Sequence, residues 1–76
     1  MQTGTIKSIS GLGTSIVTLT MEMDDGEVQV VHGEGRLLSW ALGEAFDCAW
    51  DAPGHRIDFG TDDMGMMTHF TPAEAM

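Results

Sequence analysis

Residues 16–32 read IVTLTMEMDDGEVQVVH, and this stretch decides the fold class. In its first half apolar and polar residues alternate, which places Val17, Leu19 and Met21 on one face, as in a strand with one buried side. The dipeptide at 25–26, Asp-Gly, is a hairpin turn signal, and a second apolar run, EVQVVH, follows it. The stretch therefore predicts an antiparallel hairpin in a β-rich domain.

A two-residue turn at 25–26 sets the register of this hairpin. It predicts three cross-strand pairs, namely Met23 with Val28, Met21 with Val30, and Leu19 with His32. In this register the side chain of His32 points toward the interior of the sheet. Val31 then lies on the outer face.

The flanking sequence predicts one further strand before the hairpin, and a helix and two strands after it. Residues 3–10 carry Ile6 and Ile9 three positions apart, which indicates a strand with a bulge. Between Gly35 and Asp47 the apolar residues recur as adjacent pairs every four positions, the pattern of an amphipathic helix, although neither end carries a strong cap. Strands follow at 56–61 and 66–71.

A four-residue loop at 62–65 joins the last two strands and predicts two cross-strand pairs, Phe59 with Thr68 and Ile57 with Phe70. The whole chain, residues 1–76, forms one domain, and its tail, 72–76, is expected to fray.

The order strand, strand, strand, helix, strand, strand resembles the layout of the OB-fold, a small five-stranded, partly open barrel. An SH3-like barrel with an inserted helix is the alternative, because sequence order alone hardly separates the two. The likeness concerns layout and involves no family motif.

The charge of the chain limits its partners. With 3 Lys+Arg against 12 Asp+Glu in 76 residues, the net charge is −9. Binding to phosphate backbones needs clustered cations, and the predicted outer face of the second and third strands has neither a base nor an aromatic ring. Direct nucleic-acid binding and binding to an anionic membrane are therefore not expected.

The single cysteine and the hydropathy pattern indicate a compartment. Cys48 has no second cysteine with which to form an intrachain disulfide, which favours a reducing environment. No apolar run approaches the ~20 residues of a membrane span, and the first fifteen residues do not resemble a signal peptide. The expected location is the cytoplasm.

Catalytic motifs do not stand out in the sequence. The serines lie in no GxSxG element, the glycines complete no GxGxxG or phosphate-binding loop, and Asp47 beside Cys48 disfavours a reactive thiolate. The histidines and Cys48 lack zinc-ligand spacing. We therefore expect a protein that is not an enzyme and has no cofactor.

Acidic residues cluster at the tips of the two hairpins, where carboxylates from two loops could supply oxygen ligands to a hard cation such as calcium. These candidate ligands are Asp24, Asp25, Glu27, Asp62 and Asp63. The alternative interpretation is that they are solvated turn residues, because Asp is common in turns for its backbone geometry.

Four large apolar residues are candidates for an interaction surface: Val31, Trp40, Trp50 and Met67. For Trp50 the alternative interpretation is that its side chain caps the end of the barrel. The leading functional hypothesis is a non-catalytic protein-interaction module that binds a protein partner or associates with itself. A domain that binds a small ligand or metal ion is the alternative. A third hypothesis is an acidic mimic that occupies a basic nucleic-acid-binding protein.

Overall fold

The computed structural model describes residues 2–73 and shows a β-rich domain with one α-helix. The elements, in chain order, are β1 (Gln2–Ser10), β2 (Ile16–Met23), β3 (Val28–Glu34), α1 (Gly35–Phe46), a short 3₁₀ turn (Ala49–Asp51), β4 (Arg56–Thr61) and β5 (Met67–Pro72). The β-rich class and the helix between the third and fourth strands are as predicted. None of the helices within residues 2–73 is long and apolar enough to span a membrane.

The five strands form one antiparallel sheet in the order β3-β2-β1-β4-β5, so β1 is central and β3 and β5 are the edges. The sheet is not closed. The two edges meet at one isolated parallel bridge, between His32 and Met66. The pairing of β1 with β2 shifts between Ile6 and Ser8, which confirms the predicted bulge.

The turn between β2 and β3 has three residues, 24–26, and not the two that were predicted. The N–H of Gly26 donates to the carbonyl of Met23 at 2.9 Å, and the N–H of Met23 donates to the carbonyl of Glu27 at 2.7 Å. Gly26 has a φ of 91°, a conformation that glycine adopts without steric cost. A tight turn followed by a left-handed residue is a common three-residue hairpin loop.

The additional turn residue moves every side chain of β3 to the face opposite to the predicted one. Leu19 pairs with Val31 rather than with His32. Val31 is 1% exposed and belongs to the core, whereas Val28, Val30 and His32 are exposed. The predicted register, with Val31 outside and His32 inside, is therefore wrong.

The β4–β5 hairpin also differs from its predicted register. Phe59 pairs with Phe70, a shift of two residues from the predicted pair with Thr68, and a further irregularity lies between Gly60 and Thr61. Because the shift is two residues, Phe70 keeps the face that was predicted for it. The strand also continues to Pro72, so only residues 74–76 of the predicted tail lie outside the described residues.

The core lies between the inner face of the sheet and one face of α1. Its buried members are Ile6, Val17, Leu19, Met21, Val31, Leu38, Leu42, Ala52, Ile57 and Phe59. Burial of side chains of this size contributes roughly 1.5–3 kcal/mol each, which makes this cluster the main source of stability.

The start of α1 is tightly held. The carboxylate of Glu34 accepts hydrogen bonds from the N–H groups of Arg36, at 3.4 Å, and Leu37, at 2.9 Å, so the predicted absence of a cap is wrong at this end. The N–H of Gly35 donates to the carbonyl of Ser15 at 2.9 Å. The helix is therefore anchored to the loop between β1 and β2.

Candidate interaction groove

Helix α1 carries two apolar faces, and only one of them is buried. Leu38 and Leu42 belong to the core. Leu37 and Trp40, three positions apart on a neighbouring face, are 70% and 68% exposed. The helix therefore presents an apolar face that the core does not use.

This second face of α1 and strand β5 border an apolar groove with a volume of about 480 Å³. The helix contributes Leu37, Trp40 and Ala41, and the strand contributes Met67 and Phe70. A cleft of this size lies within the range of about 300–1,000 Å³ in which proteins usually bind ligands or protruding side chains. We call it the α1–β5 groove.

The strand wall of the groove is held in place by packing. Met67 and Phe70 are half-buried and pack against the core. The ring of Phe70 lies 6.3 Å from the ring of Phe46, at the end of α1, and the ring of Phe46 stacks on His55 at 4.3 Å. These contacts between rings connect β5 to the end of the helix and keep the two walls together.

Acidic side chains border the groove. Glu34, Glu44 and His69 are among its lining residues, and none of the Lys and Arg side chains, Lys7, Arg36 and Arg56, is. With a net charge of −9 for the whole chain, the groove combines an apolar wall with a negative field.

The structure brings together two of the four predicted interaction residues. Trp40 and Met67 lie on opposite walls of the α1–β5 groove. Trp50 is 65% exposed but lies on the 3₁₀ turn, and it is not among the residues that line the groove. Val31 is buried and is therefore not available to a partner.

Other residues of the groove were not identified from the sequence. The sequence pattern places Leu37 and Ala41 on the same helical stripe as Leu38 and Leu42, and it gives Phe70 only a cross-strand pair with Ile57. The available signal was the width of that stripe, because adjacent apolar pairs every four positions cover more of a helix than one buried face requires.

Asp24, at the tip of the β2–β3 hairpin, forms an ion pair with Arg56. Arg56 Nε donates to Asp24 Oδ1 at 3.3 Å, and a second guanidinium nitrogen contacts Asp24 Oδ2. The hydrogen bond from Arg56 holds the pKa of Asp24 below its usual value, and the same contact raises the pKa of Arg56. Asp24 is thus already paired with a cation of the chain.

The remaining predicted metal ligands include two that shape turns. Asp25 Oδ1 accepts from the N–H of Glu27 at 3.0 Å, and Asp62 Oδ1 accepts from the N–H groups of Met64 and Met66 at 2.9 and 3.0 Å. Asp63 is exposed in the same turn. Within residues 2–73 no three His, Cys, Asp or Glu side chains are grouped so that they could hold a metal ion.

A second exposed apolar area lies on the outer face of β2 and β3, where Ile16, Val28 and Val30 are exposed. They alternate with polar groups, and Thr18 Oγ1 and His32 Nδ1 form a hydrogen bond of 3.0 Å among them. This area is a strand surface, and none of its residues is among those that line the α1–β5 groove.

Comparisons with protein-family models, with curated proteins and with solved structures gave no significant match to this chain. The functional assignment therefore depends on the geometry and chemistry of the domain itself.

Proposed function

We propose that this protein is a non-catalytic protein-interaction module that binds a partner chain in the α1–β5 groove. The observation that carries the proposal is the exposure of Leu37 and Trp40 on one wall of a groove whose other wall is Met67 and Phe70. Single exposed apolar side chains are normal, whereas contiguous ones around a concave surface mark interaction sites. Tryptophan is among the residues that contribute most to protein interfaces.

The charge of the chain favours a different protein over a second copy as the partner. Two copies would each carry a net charge of −9, and like charges that face each other across an interface disfavour association. The partner is expected to present cationic side chains around an apolar centre. Self-association would instead appear as a concentration-dependent species in sedimentation velocity.

For the fold, we propose a partly open, OB-like barrel. Three features support it: β1 pairs with both β2 and β4, α1 connects β3 to β4, and the His32–Met66 bridge brings the two edges to one point. An SH3-like barrel remains the alternative. Nuclear Overhauser contacts between β3 and β5 along several residues would favour a closed barrel, and contacts confined to the bridge would favour an open one.

The two tryptophans provide a matched test of the proposed function, because Trp40 and Trp50 are almost equally exposed and only Trp40 lines the groove. Affinity capture from cells of the source organism, followed by identification and purification of the retained protein, would use the wild type, Trp40→Glu and Trp50→Glu. Loss of a central interface residue costs about 2 kcal/mol or more, or roughly 30-fold in Kd.

We expect Trp40→Glu to weaken binding of the purified partner by that factor and Trp50→Glu to leave it nearly unchanged, with the same circular dichroism spectrum for all three proteins. An equal loss in both variants, or in neither, would contradict the proposal. A partner held by charge alone, as the acidic-mimic hypothesis requires, would be released by moderate salt and would be indifferent to Trp40.

A further inference from the structure

The backbone edge of β5 lies inside the α1–β5 groove. Four consecutive residues, 67–70, line it. Successive side chains of a strand point to opposite faces of the sheet. A groove that touches four successive residues therefore runs along the edge of the strand, where the backbone groups are, and not over one face of the sheet.

That edge presents backbone groups that the sheet does not pair. The N–H of Ala73 donates to the carbonyl of Arg56 at 2.8 Å, so the backbone of residue 73 points toward β4. Hydrogen-bonded and non-hydrogen-bonded positions alternate along an antiparallel ladder, so Thr71 also points toward β4, whereas Phe70 and Pro72 point away. In the sheet order of residues 2–73, β5 has β4 as its only neighbouring strand, and its other edge meets β3 at the His32–Met66 bridge, just before the first residue of β5.

We propose that the partner contributes an extended segment that adds to the free edge of β5 as a further strand. This inference rests on the proposed function of the groove and specifies how the groove is used. The N–H and carbonyl of Phe70 would pair with the backbone of the segment, and the carbonyl of Pro72 would accept a further hydrogen bond. Main-chain pairing of this kind, with alternate side chains in pockets, is a general mode of peptide recognition.

The walls of the groove specify the side chains of the segment. Alternate residues of an added strand face the same side, so one set would lie against Leu37, Trp40 and Ala41 and must be apolar. The acidic border at Glu34 and Glu44, together with the net charge of −9, favours Lys or Arg at the positions that flank the apolar ones. The six residues of β5 span about 20 Å, which sets a segment of similar length.

A helical segment could make apolar contacts with the helix wall of the groove, but it could not form hydrogen bonds with the edge of β5. The backbone of a helix is paired within itself, so it would cover the N–H and carbonyl of Phe70 without offering them partners. A polar group that is buried without a partner weakens binding. The geometry of the groove therefore favours an extended segment over a helix.

The test uses a displayed library of random ten-residue peptides, selected on the full chain and counter-selected on Trp40→Glu. The affinity of synthetic copies of the selected peptides would be measured with Trp50→Phe, in which Trp40 is the only fluorescent tryptophan. We expect selected sequences with apolar residues at alternate positions and Lys or Arg beside them. Acidic sequences, or sequences without that alternation, would overturn the inference.

Backbone pairing is tested directly by hydrogen exchange and by N-methylation. In the free protein the amide of Phe70 should exchange quickly and that of Thr71 slowly, and a saturating peptide should slow exchange at Phe70 by roughly two- to tenfold or more, the range that corresponds to one additional hydrogen bond. Methylating every second peptide amide should weaken binding at least about tenfold for one of the two sets only.

The outcomes separate the two proposals. Peptides that need Trp40 but tolerate both methylation sets and leave Phe70 unchanged would overturn strand addition and leave the groove as the interaction site. A selection that yields no peptide dependent on Trp40 would overturn both. Because Trp40 is exposed, its substitution should not unfold the chain, which circular dichroism verifies.

Discussion

Substitution of glycine by alanine should have opposite effects on the stability of the domain at two positions of α1, Gly35 and Gly43. A Cβ atom at Gly35 would lie 1.9 Å from the carbonyl oxygen of Thr14 and 2.9 Å from the carbonyl carbon of Ser15, whereas a Cβ atom at Gly43 would have no atom within 4 Å. An ordinary contact begins at 3.4 Å, so Gly35→Ala requires the start of the helix to move by roughly 1.5 Å from the β1–β2 loop.

That movement has a calculable effect on stability. Overpacking costs about 1–3 kcal/mol, and the hydrogen bond from Gly35 N–H to Ser15, which would be lost, contributes about 0.5–1.5 kcal/mol. We therefore expect Gly35→Ala to lower the free energy of unfolding by roughly 2–4 kcal/mol. Gly43→Ala should raise it by about 0.8–1 kcal/mol, because alanine is the better helix former.

Urea unfolding followed by circular dichroism measures both effects, and thermal melts provide a second measurement. For a chain of this length 1 kcal/mol corresponds to about 4–8 °C, so the melting temperatures of the two variants should differ by more than about 10 °C. Equal stability of Gly35→Ala and the wild type would refute the close contact at Thr14. Destabilisation by Gly43→Ala would refute the open environment at that position. The measurement on Gly43→Ala can be made even if Gly35→Ala does not fold.

Three further predictions test the register, the helix cap and the ion pair. Val31→Lys should destabilise the domain by about 4 kcal/mol or more in urea unfolding, because it buries an unpaired charge. Val30→Lys should change the free energy of unfolding by about 0.5 kcal/mol or less. A larger loss in Val30→Lys than in Val31→Lys would contradict the observed register and favour the one set by a two-residue turn. Glu34→Ala should cost about 1 kcal/mol in the same assay through loss of the helix cap, and no change would show that the carboxylate does not cap α1. The pKa of Asp24 is lowered by Arg56, so its contribution is present above the usual value of 3.8 and is lost as the pH falls below it. The stability difference between Asp24→Asn and the wild type should therefore be constant above about pH 5 and shrink toward pH 3 in urea titrations at each pH, and a difference independent of pH would contradict the pairing.

The strands and the helix could be predicted from the sequence because each has a clear local period. The alternation over 16–23 and the paired apolar residues over 35–46 reflect the repeat of a strand and of a helix, and both elements occur there. The bulge in β1 was also predictable, since Ile6 and Ile9 can share a face only if one residue is inserted between them. Local patterns of this kind do not depend on the rest of the fold.

The register of β3 could not be predicted from hydropathy because it depends on a three-residue turn, which the Asp-Gly signal at 25–26 does not distinguish from a two-residue turn. Hydropathy alone favours Val28 and Val30 as the inner face, and the structure buries Val31 and Gly33 instead. A Cβ atom at Gly33 would lie 2.4 Å from Leu38 Cδ2 of α1. Leu38 needs a position without a side chain beneath it, and the observed register places Gly33 there. That requirement is tertiary and has no signal within the strand.

The groove could be predicted only in part for a similar reason. Trp40 and Met67 stood out as apolar residues that a barrel does not need, but their juxtaposition depends on how α1 lies across the sheet relative to β5. They are 27 positions apart in the chain, and no local pattern relates them. Trp50, which looks equivalent in the sequence, lies outside the groove because the 3₁₀ turn follows the end of the helix.

The exposed face of α1 follows from the two glycine contacts that dock the helix. Gly33 admits Leu38 against the sheet, and Gly35 brings the first turn against Thr14, so both contacts limit the rotation of the helix about its axis. In that orientation Leu38 is buried and Leu37 remains in solvent. Burying a leucine contributes roughly 1.5–3 kcal/mol, a large part of the roughly 4–11 kcal/mol expected for a domain of this length. A rotation about the helix axis that buried Leu37 would turn Leu38 toward solvent, so it would break the two contacts without a net gain in burial. Because the docking of the helix prevents that rotation, the apolar wall of the groove is a fixed feature of the fold.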